Sequence, residues 1–94
     1  MNVGDEATAV KMDALVVRMK PIMEGVDGYA GVERRVCKAE WDYATTWKFA
    51  NLDGLKNYLG DEGKQAQVAA LLEEAEAIVG VGAIHRQNFA YDEM

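Results

Sequence analysis

His85 is the chain's one histidine, and imidazole is the side chain that most readily exchanges a proton near neutral pH. If the protein catalyses a reaction, His85 is its natural general base. Gln87, Asn88 and Phe89 follow at once, so the Gln87 or Asn88 amide would hydrogen-bond an oxyanion developing on a bound substrate. The plainer reading is a solvent-exposed or structurally hydrogen-bonded histidine at a strand start. Trp41, Tyr43 and Trp47 form a second group. Large rigid rings at alternate positions make the wall of a cleft for an apolar ligand, with Phe89 as a further ring, or else they are the core face of a sheet. Cys37 would act as a nucleophile only if a neighbouring base or cation favoured its thiolate. Arg35 shares its strand face, but a buried or half-buried inert thiol is the simpler expectation. One His and one Cys cannot assemble a closed four-ligand metal site, so neither a metal nor a cofactor is expected.

The elements that would position these groups follow from periodicity. Met12, Leu15, Val16, Met19, Ile22, Met23 and Val26 recur at steps of three and four and predict a helix over Glu6 to Glu24, kinked at Pro21. The period then changes to two. Ala30, Val32, Arg34 and Val36 make one strand, and Trp41, Tyr43, Thr45, Trp47 and Phe49 make a second. Lys38-Ala39-Glu40 closes an antiparallel hairpin between them. Asn51 caps a short helix whose apolar face is Leu52, Leu55, Tyr58 and Leu59. Past Gly60-Asp61, the residues Val68, Leu71, Leu72, Ala75, Ile78 and Val79 stripe another helix, opposed by a solvated row of Glu73, Glu74 and Glu76. Gly80-Val81-Gly82 follows a helix and precedes extended chain, the reverse of a phosphate loop, and reads as a connector. Ala83 to Tyr91 alternates as a last strand, with His85, Gln87, Phe89 and Tyr91 on one face.

The fold class is therefore α+β, in the order helix-strand-strand-helix-strand with an antiparallel sheet and residues 1–94 as one domain. This is a ferredoxin-like unit without its opening strand. Tyr29-Ala30-Gly31-Val32-Glu33-Arg34-Arg35-Val36, Thr46-Trp47-Lys48-Phe49, Leu52 to Leu59 and Asn88-Phe89-Ala90-Tyr91 together resemble the dimeric α/β-barrel superfamily. Its antibiotic-biosynthesis-monooxygenase-type domains and stress-responsive A/B-barrel relatives look most similar. The resemblance implies a homodimer of facing sheets, an apolar ligand between sheet and helices, and a positioning role for Trp47. No residue matches the family's first-strand polar group or its helix-borne histidine.

Composition narrows the choice. Ten basic against 16 acidic residues give a net charge of −6, and a surface of that sign repels phosphate backbones, so nucleic acid is not an expected partner. No apolar run approaches the ~20 residues of a membrane span, and the acidic N-terminus lacks the features of a secretory signal. A soluble compartment, cytoplasmic or organellar, is expected. The leading functional expectation is a homodimer that binds a small apolar organic molecule, with monooxygenase-like or cyclase-like chemistry if it is an enzyme. The competing one is a non-catalytic assembly or scaffold module, motivated by the unmatched first strand and helix histidine. A missing first strand would leave an open sheet edge. The expected remedy is closure of the last strand directly onto the Trp47 strand, with Ala44 and Thr46 on the sheet face approached by a second subunit. The polar Met1 to Thr8 stretch is not expected to act as a central strand.

Overall fold

A computed structural model describes residues 1–90. The order is α1 (Glu6–Glu24), β1 (Tyr29–Cys37), β2 (Asp42–Phe49), α2 (Leu52–Leu59) and α3 (Glu62–Val79). The Asp5 carboxylate accepts from the Thr8 N–H to start α1, Asn51 accepts from Gly54 to start α2, and Asp61 accepts from Lys64 to start α3. Each cap satisfies a backbone donor that the first helical turn leaves without a partner. Pro21 lies inside α1 without ending it. Its missing N–H falls on the solvent side of the helix, where Val17 and Pro21 are both exposed and water can reach the carbonyl that is left free.

β1 and β2 pair antiparallel, with Val36 opposite Tyr43, Arg34 opposite Thr45 and Val32 opposite Trp47. The register slips between Tyr29 and Gly31, so Ala30 is the extra residue of a bulge and Gly31 takes φ +131°. Gly28, at φ +93°, lets the chain enter β1 directly beneath α2, where a Cβ on Gly28 would sit 2.6 Å from the Gly54 Cα. Two glycines thus set how closely the hairpin and α2 approach.

The core is two adjoining clusters. The first gathers Val3, Ala9, Met12, Leu15, Met19, Tyr43, Leu71 and Ala75 between α1, α3 and the sheet. The second gathers Met23, Val26, Tyr58 and Val68. Trp47, Ile22 and Leu72 pack against both and join them. The expected α1 stripe is therefore the one that is buried. α2 and α3 depart in part. Leu52 and Leu59 are 63% and 48% exposed and Ile78 is 40% exposed, while Gly54 and Tyr58 are the buried residues of α2. Gly54 must face inward to pass Gly28, and that turns Leu52 outward.

Two further expectations are corrected. No strand forms between Ala83 and Ala90, so the order ends helix-helix and the sheet has two strands; Tyr91 lies outside the described residues. The alternation in this segment offers little apolar surface to bury. Only Ile84 reaches the core, while His85, Gln87, Asn88 and Phe89 are exposed. Part of the edge the segment was to occupy is also taken. Asn2 bridges antiparallel to Asp42, Val3 N–H donates to the Trp41 carbonyl at 2.8 Å, and Tyr43 N–H donates to the Met1 carbonyl at 2.7 Å. The N-terminal residues, not expected to act as a central strand, form none, but they cover one end of the outer edge of β2.

The exposures separate two substitutions on α3. Leu71→Ala should cost ~2–5 kcal/mol, as a large-to-small change in a core does, whereas Ile78→Ala should cost below about 1 kcal/mol, as should Glu74→Ala. Urea-denaturation midpoints measure all three. In the same assay Gly28→Ala should cost about 2 kcal/mol or more, because the new Cβ meets backbone rather than a movable side chain.

Candidate functional site

The aromatic face is the place to look for a site, and its members prove unlike one another. Tyr43 is 1% exposed and belongs to the first core cluster. Trp47 is half-buried in the seam between clusters, its ring centroid 6.3 Å from that of Tyr29. Trp41 is not a strand residue. β2 begins at Asp42, and Trp41 closes the hairpin turn at φ +59°, its N–H donating to the Cys37 carbonyl at 2.5 Å. That left-handed backbone is uncommon for a bulky residue. The turn is held there from both sides, since the Trp41 carbonyl also receives the Val3 N–H and its ring packs on the core.

His85, Gln87 and Asn88 lie exposed on the irregular segment after α3. Among the described residues no hydrogen bond or ion pair joins any of them to Tyr43, Trp41 or Trp47. Phe89 is 66% exposed. Cys37, expected at least half-buried, is exposed, because it sits at the end of β1 on the sheet face that no helix covers. Among the described residues no three His, Cys, Asp or Glu side chains converge as a metal would require, and no helix is long and apolar enough to cross a membrane.

One polar constellation escaped the sequence reading. The Tyr43 hydroxyl donates to Asp13 Oδ1 at 2.6 Å, and Arg34 donates to Asp13 Oδ2 at 2.8 Å. One carboxylate on α1 thereby holds both strands. The signal was available: Arg34 alternates with Val32 and Val36 on the inward side of β1, and a charge placed there needs a partner. Burial, then the hydrogen bond to Asp13 and the charge of that carboxylate, push the Tyr43 phenol well above its ordinary 10. A phenol so placed is inaccessible to a substrate and resists giving up its proton. Its geometry suits a clamp.

Two open depressions mark the helical side. One of about 330 Å³ lies between α1 and α3, lined by Arg18, Ile22, Gln67, Ala70, Leu71 and Glu74. The other, about 300 Å³, lies around Pro21, Gly25 and Lys64. Neither is lined by Trp41, Tyr43, Trp47, His85 or Phe89. No family model, curated protein or solved structure matches the chain.

The clamp has a pH signature. Because the phenol's pKa is higher folded than unfolded, the folded state holds its proton above pH 10 while the unfolded chain loses it. The contribution is complete below about pH 10 and declines as pH rises further. Tyr43→Phe should cost ~0.5–1.5 kcal/mol near neutral pH and should flatten the fall in stability between about pH 10 and 11. Tyr29, whose phenol is also pushed up by burial and by Glu24, should leave a residual slope. Urea titrations of both proteins across that range measure the difference.

Proposed function

We propose that this chain is a non-catalytic assembly module, a domain that works by contact with another polypeptide rather than by binding and converting a small apolar molecule. The observation that carries the reading is that the aromatic face is filled by the chain's own core. Tyr43 is sealed beneath α1, Trp47 plugs the seam between two clusters, and neither depression reaches them. A ligand domain needs a concave, largely preformed pocket with a few convergent polar groups. Here the polar groups expected to converge, those of His85, Gln87 and Asn88, face solvent on a segment outside the sheet.

Two exposed features support contact with other chains. Past Tyr43, the outer edge of β2 continues through Thr45, Trp47 and Phe49. These residues share the parity of Tyr43, whose backbone groups turn away from β1 toward Met1. Among the described residues no strand pairs along this stretch, and an edge of this kind is a template for a further strand. The outer side of α1 also carries Val10 and Val17, 60% and 64% exposed, on a protein whose small core can least spare apolar surface.

The two indole N–H resonances of Trp41 and Trp47 test the reading, assigned by Trp41→Phe. Titration with a planar apolar aromatic such as 1-naphthol should leave the Trp47 resonance unshifted up to the probe's solubility. A saturable shift of Trp47 at micromolar probe would establish a ligand site there and overturn the module reading.

A further inference from the structure

α1 is apolar on two opposite sides. Its inward stripe of Ala9, Met12, Leu15, Met19 and Met23 is buried. Ala7, Val10, Ala14, Val17 and Pro21, on the side facing away from the core, are all exposed. These five recur at steps of three, four, three and four, the spacing of a two-helix seam in which alternate layers meet a facing helix. Glycine is absent from the run, and the two valines rank among the largest exposed apolar groups of the protein. Singly exposed apolar residues need no explanation, but a continuous stripe of about four turns rimmed by charge does.

The rim says what would cover it. Glu6, Asp13 and then Lys20 run along one side of the stripe, Lys11 and Arg18 along the other. A second α1 laid parallel and in register brings Glu6 toward Lys11, and Asp13 toward Arg18, of the other copy. Twofold symmetry repeats both pairings on the opposite flank. An antiparallel copy instead sets Lys11 and Arg18 against one another along one flank, which is repulsive. Asp13 already binds Arg34, and Arg18 already binds Glu74 at 3.1 Å. Arg18 keeps 57% side-chain exposure and can take a second partner, while Asp13, held by both Tyr43 and Arg34, keeps 32%. The uncovered sheet face is a poorer candidate for self-association, because Ala44 and Thr46 lie there among Glu33, Arg35, Lys48 and Asp42.

We infer that the outer stripe of α1 is a self-association surface, on which two copies of this chain pair through parallel, in-register α1 helices. This rests on the module reading and names the partner, a second copy. A seam of about four turns is smaller than a standard interface of ~800 Å² per partner, so the pairing is reversible, with a Kd in the micromolar range.

Sedimentation equilibrium of the full chain from low to high micromolar should show a shift from 10.4 kDa toward twice that mass. Val17→Glu, at a site exposed in the monomer, should raise Kd by at least about tenfold with an unchanged circular dichroism spectrum. Glu6→Lys and Lys11→Glu should each weaken the dimer, and the two together should restore it. Val17→Cys in a Cys37→Ser background should form a disulfide between copies on oxidation, as only a parallel in-register pair places the two positions together. A wild-type chain that stays monomeric throughout overturns the self-pairing. So does a dimer indifferent to Val17→Glu, or a double charge exchange that fails to restore association. Those results leave the module reading in place, since it falls only to the Trp47 titration.

Discussion

The inward stripe of α1 against Tyr43 is the contact on which the other elements depend. A two-stranded hairpin buries too little of itself to stand in water, and here one of its faces is left open. Its other face is closed by helices, and the longest of them, α1, sets Met12, Leu15 and Met19 in one cluster with Tyr43. α3 adds Leu71 and Ala75 to the same cluster and touches α1 more extensively than it touches either strand. The helices thus form the body of the fold, and the hairpin is a plate fastened to it. Fastening by apolar contact alone would let the plate slide, because hydrophobic burial has no direction. The Asp13 carboxylate, gripped at once by Tyr43 from β2 and Arg34 from β1, gives the contact a fixed registry.

The same economy supports the proposal that the aromatic face serves as core rather than as a binding site. In a sheet of many strands, some inward aromatics can be spared to line a cavity because others close the core. With two strands, the ring of Tyr43 and the indole of Trp47 are the bulk that fills the space between sheet and helices, and opening a cleft there would remove core the protein cannot replace. Trp41 is used in a different way. Its ring packs on the core from the turn, and its carbonyl ties down Val3, so the hairpin end and the N-terminal residues stabilise one another.

How far the sequence could be read follows the same physics. The bounds of α1, the hairpin and the Asn51 cap were legible because each is set by local chemistry: a sustained 3.6 period, a clean alternation of Tyr43, Thr45, Trp47 and Phe49, and a capping Asn three residues before the amide it receives. The last strand was not, since strand pairing is a long-range fact. Ala83 to Ala90 has the alternation of a strand but no apolar face, and the end of the edge it needed is held by Met1 to Val3. Leu52 misled for a related reason. The face α2 turns inward is set by the Gly28–Gly54 contact with a distant part of the chain, which periodicity within eight residues cannot reveal. Among the residues first singled out for chemistry, the aromatics were placed near the core, and His85, Gln87 and Asn88 inherited their assigned face from a strand that does not form.

α1 therefore serves both sides of the molecule, and this has a thermodynamic consequence. A stripe that keeps Val10 and Val17 in water contributes nothing to the isolated fold, yet covering it stabilises the very helix that holds the hairpin in place. Folding and contact are then linked: whatever binds the outer side of α1 in the folded chain and not in the unfolded one adds to stability in proportion to the logarithm of its concentration. A sheet of two strands with one open face makes a marginal domain, for which such a term is a substantial part of the whole. The clamp matters here too. By tying α1 to both strands through one carboxylate, it fixes the helix that carries the outer stripe, so the feature that orders the core also holds in place the surface proposed for self-association.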